Sequence, residues 1–122
     1  MMNNRDLLVN AARAAEIQGK YYVAYDERYI NEGIDIGNGR LWNPLTRNED
    51  AFSLMVKCQM TIRDNGNQIF ADTPHQCKTS VYIGKNDIDR EKYTRAVITK
   101  CAALIGGLDP SIFNNWCPTL RK

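Results

Sequence analysis

The chain has 122 residues, 43% hydrophobic and 25% charged, with sixteen basic and fourteen acidic side chains giving a net charge of +2. That length supplies one core rather than two, and the composition excludes a collagenous, low-complexity or repeat chain. So small a charge excess argues against a domain held to nucleic acid by its phosphate backbone, and no run approaches the ~20 apolar residues needed to span a bilayer.

In chain order, Leu7, Leu8, Ala11, Ala12 and Ala15 recur at three- and four-residue spacing, which predicts an amphipathic helix over residues 4–17 with Gly19 as its stop. Its apolar face is thin and alanine-rich, so a neighbour can approach closely, whether the chain's own sheet or a second copy. Lys20-Tyr21-Tyr22-Val23-Ala24-Tyr25 is rich in aromatic and β-branched residues and reads as a strand. Residues 32–40 hold Gly33, Gly37 and Gly39 around Ile34 and Ile36 and read as a loop with room for one short strand, Gly37-Asn38-Gly39 being a turn. Thr46 followed by Glu49 predicts a capping box, in which the hydroxyl accepts from the Glu49 amide and the carboxylate reaches back to the Thr46 amide. The helix it starts is expected to bury Ala51, Phe52, Leu54, Met55 and Cys58. Pro44 holds Asn43 out of helical conformation, so Trp42 stands on a rigid, extended entry.

Asn65-Gly66 between residues 59–63 and 68–72 predicts a β-hairpin, because the dipeptide tolerates the positive φ angles of tight hairpin turns. A further strand follows Pro74 at Thr79-Ser80-Val81-Tyr82-Ile83. Asn86 or Asp87 is expected to cap a long helix ending near Ile105, with Asp87, Asp89 and Glu91 at the positive end of its dipole and Gly106-Gly107 as the stop. Residues 108–122 carry Pro110, Ile112, Phe113, Trp116 and Pro118, and read as an apolar tail docked on the domain or on a partner. The expected architecture is a single α+β domain over 1–122, a small antiparallel sheet of about four strands packed with three helices.

Residues suited to catalysis are sparse. Hydrolytic triads and most zinc sites need histidine, and the one present, His75, stands two residues before Cys77, a spacing that does not hold the pair in hydrogen-bonding geometry. The four cysteines Cys58, Cys77, Cys101 and Cys117 include no C-x-x-C pair, and a chain with a full apolar complement needs no staples, so reduced thiols and no metal are expected. Gly37-Asn38-Gly39 lacks the lysine and threonine of a Walker loop. Asp35, Asp64, Asp72, Asp87 and Asp89 sit at turns or caps that already account for them. No general acid, base or cofactor is assigned, and the expectation is a protein that is not an enzyme.

The tyrosines Tyr21, Tyr22, Tyr25 and Tyr29, with Arg28, Arg40, Trp42 and Arg47, are the collection that stands out. Aromatic faces and guanidinium forks are what a protein uses to stack a base and hold a phosphate. The competing account is strand packing for alternate tyrosines and a buried anchor role for Trp42. The candidate ligand-binding residues are Tyr25, Arg28, Arg40, Trp42, Asn43 and Arg47.

Trp42-Asn43-Pro44, followed by Asp50-Ala51, Leu54 and Lys57, spells W-N-P-x(5)-D-A-x-x-L-x-x-K. With the late run Arg95-Ala96-Val97-Ile98-Thr99-Lys100-Cys101-Ala102-Ala103-Leu104-Ile105-Gly106, this resembles the small phage proteins described as the phage ABA sandwich domain, over residues 22–108. The resemblance implies a bacteriophage or prophage protein in the cytoplasm of a bacterial host, with helices on a small antiparallel sheet and no catalytic residues. Small phage proteins of this kind often act on the host, blocking antiviral defence among other ways.

The functional expectation is a homo-oligomeric, non-catalytic phage protein that sequesters a nucleotide-derived signal or occludes a host protein. Two alternatives stand beside it. A helix, three strands and a helix over residues 46–106 match the order of the double-stranded RNA-binding fold, although Asp87, Asp89 and Glu91 would repel phosphates at the start of the last helix. The other is a phage accessory enzyme resting on Cys77, His75 and the scattered carboxylates.

Overall fold

The computed structural model describes residues 3–74, 77–84 and 87–109. His75, a cap at Asn86, Cys117 and the tail from 110 onward lie outside the described residues. Within them the elements run α1 (Asn4–Ala14), β1 (Lys20–Tyr25), β2 (Ile30–Gly37), β3 (Arg40–Trp42), α2 (Asn48–Lys57), β4 (Thr61–Asp64), β5 (Gln68–Asp72), β6 (Lys78–Tyr82) and α3 (Arg90–Ile105).

The class is α+β with three helices, as expected, but the strands do not form one sheet of about four. They form two antiparallel sheets of three, ordered β1-β2-β3 and β4-β5-β6. The additional strands come from residues 30–42, expected to be mostly loop. Asn38 (φ 58°) and Gly39 (φ 72°) are both left-handed, and they join Gly37 to its partner Arg40 across a two-residue turn. That geometry matches the twist of the flanking strands and so makes a hairpin of a segment that glycine count alone reads as loop. At the second Asn-Gly only Gly66 is left-handed (φ 98°), and the Asn65 side chain instead accepts the amides of Asn67 and Gln68 at 3.0 and 2.9 Å.

All three helices end the same way. The amides of Ile17, Met60 and Leu108 return to the carbonyls of Ala12, Met55 and Ala103 at 2.9, 3.0 and 3.0 Å, each after a residue of positive φ. This is the Schellman arrangement, which satisfies the last carbonyls of a helix by a left-handed residue just beyond its cap. Only α3 uses glycine there, Gly107; α1 and α2 use Glu16 (φ 58°) and Gln59 (φ 56°). Helix α1 therefore stops at Ala14, short of the Gly19 boundary. The cap of α3 is Asp89, whose side chain accepts from the Lys92 amide at 3.0 Å. Asp87, the expected cap, points elsewhere.

Helix α3 ties the two sheets together. It lies against α1 and α2 and covers β5 and β6, while α1 leans on β1 and β2. Leu7 and Leu8 of α1, Ile34 of β2, Leu54 of α2, Ile69 and Val81 of the second sheet, and Tyr93, Val97 and Cys101 of α3 are buried in one core. The alanine face of α1, Ala11 and Ala12, is buried, and α1 makes its most extensive contact with α3. The close approach is completed at Gly106, where a Cβ would fall 1.9 Å from the Asn10 carbonyl oxygen.

Two stability changes follow. Gly106→Ala forces backbone apart from backbone and is expected to destabilise by about 1–3 kcal/mol. Gln59→Gly removes the left-handed penalty at the end of α2, less the freedom added to the unfolded chain, and is expected to stabilise by about 0.5–1 kcal/mol. Urea unfolding midpoints of the two variants measure both.

Candidate functional site

The site is organised around Asp50 in the first turn of α2, 2% exposed. Its Oδ1 accepts from Arg40 Nη2 on β3 at 2.8 Å, its Oδ2 accepts from the Asn43 amide at 2.9 Å, and Arg47 Nε stands 3.4 Å from Oδ2. Asn43, itself buried, donates Nδ2 to the Glu32 carbonyl at 2.8 Å and accepts the Leu45 amide on Oδ1 at 2.9 Å. Strands β2 and β3 and the start of α2 are thereby fastened to one another.

The expected Thr46–Glu49 capping box does not form. The Asn43 carbonyl takes the amides of both Thr46 and Arg47, at 3.3 and 3.0 Å, so the chain completes a turn of its own before the helix begins. The cap position falls to Arg47, whose side chain makes no capping bond, and Glu49 pairs with the Arg47 guanidinium instead. Every residue of the W-N-P…D-A…L…K pattern has a structural position: Trp42, Pro44, Ala51 and Leu54 are buried, Asn43 and Asp50 form the fastening, and Lys57 pairs with Glu16 at 3.2 Å.

Beside this fastening opens a cleft of about 960 Å³, lined by the start of β2, the β2–β3 turn, residues 43–47 and one face of α3. Five cationic side chains border it, Arg28, Arg40, Arg47, Lys92 and Arg95, against the carboxylates of Asp26 and Glu32. Glu32 is engaged by Asn4 Nδ2 at 3.1 Å and by the Tyr21 hydroxyl. Arg95 is held by neutral oxygens, donating Nε to the Leu45 carbonyl at 2.9 Å and Nη1 to Asn48 Oδ1 at 2.8 Å. Among the described residues neither Arg95 nor Arg28 forms an ion pair.

Lys92 is paired with Asp87 at 2.7 Å, and the Tyr93 hydroxyl donates to the same carboxylate at 2.9 Å. Together with the Asp89 amide these donors hold the Asp87 carboxyl down at about 2, the Lys92 contact contributing most. Tyr93, fully buried, is pushed up, first by burial and then by its bond to Asp87.

Of the expected ligand residues, the structure brings Arg28, Arg40, Asn43 and Arg47 to the cleft. Trp42 is a core residue, 4% exposed, because its register opposite Ile34 turns it inward. Tyr25 is 73% exposed and does not line the cleft; Tyr29 takes the aromatic place. Sequence reasoning missed Lys92 and Arg95. They are three apart on one face of α3, a helix-period pair of cations, but only the tertiary fold sets that face opposite residues 43–47.

Among the described residues no group of three His, Cys, Asp or Glu side chains could hold a metal ion, and no helix is long and apolar enough to cross a membrane. Fold and site define a small α+β protein with a cation-lined cleft. Compared with family models, with curated proteins and with solved structures, the chain matches none.

Asp50→Ala leaves the buried Asn43 amide without its acceptor, Arg40 without its carboxylate and Arg47 with Glu49 alone; a loss of about 1–3 kcal/mol is expected on urea unfolding. Asp87 makes a pH prediction. Its folded-state value is lowered to about 2, so its contribution is complete above the ordinary carboxylate value of about 3.9 and fades as pH falls through 2. The stability difference between wild type and Asp87→Asn should therefore narrow steadily from about pH 4 to about pH 2 in unfolding midpoints taken stepwise.

Proposed function

We propose that the cleft holds an anionic, nucleotide-like small molecule, and that the protein is a non-catalytic binder of phage origin that withdraws a nucleotide-derived signal of host defence in the bacterial cytoplasm. The observation that carries the ligand class is a cleft bordered by five cationic side chains, of which Arg40, Arg47 and Lys92 are paired with carboxylates while Arg28 and Arg95 form no ion pair among the described residues. Guanidinium forks match phosphate oxygens two at a time. The volume of about 960 Å³ falls at the upper end of small-molecule sites, about 300–1,000 Å³, which suits a nucleotide better than a simple anion. Tyr29 and Ile30 supply an aromatic and an aliphatic surface at the same cleft. The phage origin and the role against host defence rest on the resemblance carried by Trp42-Asn43-Pro44, Asp50-Ala51, Leu54 and Lys57.

A host protein as the occluded partner is the other form of this reading. Self-association loses one of its two supports, since the alanine face of α1 is buried within the chain; the other, the apolar tail, lies outside the described residues.

One observation favours a nucleic-acid reading. The order α2, β4, β5, β6, α3 with an antiparallel β4-β5-β6 sheet is that of the double-stranded RNA-binding fold. Against it, the start of α3 presents Asp87, Asp89 and Glu91, and its nearby Lys92 is already paired with Asp87. A gel shift with labelled duplex RNA at low salt separates the two readings: retention at low protein concentration would favour RNA over a small ligand.

The direct test is calorimetric titration of the purified protein with linear and cyclic mono-, di- and oligonucleotides. Binding is expected for at least one of them, weakened about tenfold or more by Arg28→Ala, the loss of one charge-assisted contact. Heats no larger than dilution across the whole panel would overturn the reading.

A further inference from the structure

Each three-stranded sheet has two outer strands, whose open sides are places where another strand can add. Three of these four edges are blunted. Strand β3 is only three residues long. Strand β4 carries Arg63 and Asp64, and Asp64 is paired with Arg90 at 2.6 Å. On β6 the Ser80 carbonyl is taken by Lys100 Nζ at 2.8 Å. Strand β1 has none of these devices: it has six residues, no proline, an unbroken register with β2 and one charge, Lys20, at its first position. Tyr22 and Tyr25 are exposed on it, and among the described residues no strand lies on its far side.

The direction of the backbone groups follows from the turn. The Asp26 amide donates to the Tyr29 carbonyl at 2.9 Å, which makes residues 26 and 29 a hydrogen-bonded pair. Such pairs alternate along an antiparallel ladder. Tyr22 and Ala24 therefore turn their backbone groups toward Gly33 and Asn31 of β2, while Val23 and Tyr25 turn theirs away from it. The same rule puts the Ser80 carbonyl on the outer side of β6, where Lys100 meets it.

We propose that β1 pairs antiparallel with β1 of a second copy about a two-fold axis at Val23, joining two sheets into one of six strands ordered β3-β2-β1-β1-β2-β3. A two-fold axis makes one edge its own complement, and centring it on Val23 overlaps the strand most fully. Tyr21 then falls opposite Tyr25 of the second copy, Tyr22 opposite Ala24, and Lys20 opposite Asp26. The last pair occurs once on each side of the axis and brings opposite charges together. Among the described residues neither Lys20 nor Asp26 forms an ion pair within its own chain. A shift of two residues sets Lys20 opposite Ala24, or toward Arg28, and loses the match. Asp26 also lines the cleft, so the second copy brings a lysine to the cleft's rim; that consequence rests on the binding reading, whereas the dimer does not.

The test is the mass of the whole chain in solution, without nucleotide, by light scattering over a concentration series. A species of twice the 13.9 kDa of one chain is expected. Lys20→Glu and Asp26→Lys should each raise the concentration of half-dissociation about tenfold or more, because each sets like charges opposite one another twice. The double variant Lys20→Glu/Asp26→Lys should recover the wild-type value. Val23→Pro removes an outward amide and none that bonds to β2, and should give a monomer with the wild-type circular dichroism spectrum. A monomer at every concentration, including one that takes up an extended peptide at β1, overturns the proposal. So does a dimer that both single charge changes leave as tight as wild type, or a double variant no tighter than the single ones. None of these outcomes touches the nucleotide titration, which stands or falls on the cleft.

Discussion

A carboxylate taken out of water must be met by donors or it neutralises, and the fastening around Asp50 shows how much of the structure that requirement organises. Asp50 draws Arg40 from the β2–β3 hairpin, Arg47 from the start of its own helix and the Asn43 amide from the segment between them. Those three partners fix the angle at which α2 leaves the first sheet. They also fix one wall of the cleft, since Arg40 and Arg47 are half-exposed and line it. A hydrophobic residue at position 50 could fill the volume. It could not hold two guanidinium groups side by side.

The opposite wall depends on α3. Arg95 reaches Leu45 and Asn48, so it is both a strut between α3 and the entry to α2 and a charge facing the cleft. Lys92 is restrained differently, by Asp87 just before the helix. Cations gathered this closely repel one another, and the fold offsets that repulsion unevenly: Arg40, Arg47 and Lys92 each have a carboxylate, whereas Arg28 and Arg95 have none among the described residues. Uncompensated charge at a concave surface is where an anion gains most, since the site is already oriented and its field is focused by the walls.

The amphipathic pattern of α1, the aromatic run of β1, the Asn65-Gly66 hairpin and the glycine stop of α3 were all legible, because each rests on short-range chemistry. The β2–β3 hairpin was legible in principle: Asn38-Gly39 is the same dipeptide as Asn65-Gly66, but the surrounding glycines outweighed it. The helix ends at Glu16 and Gln59 were not legible, since neither residue type signals the left-handed conformation it adopts. The same division runs through the site. Arg28, Arg40, Asn43 and Arg47 lie within one stretch of chain, and all four line the cleft. Trp42 was placed among them by residue type and is a core residue by register. Lys92 and Arg95 needed the fold.

That division bears on what the W-N-P pattern encodes. Trp42, Pro44, Ala51 and Leu54 are buried, and Asn43 and Asp50 spend their polar atoms on the backbone and on two arginines. The pattern is therefore satisfied by architecture, as a device for turning a strand into a helix over a buried carboxylate. Arg28, Tyr29, Lys92 and Arg95, which face the cleft, lie outside it. A chain could keep the whole pattern while replacing those four and so bind something different, or nothing. The pattern is accounted for by packing and by the fastening, and under the proposed function the choice of ligand falls to residues 28–29 and 92–95.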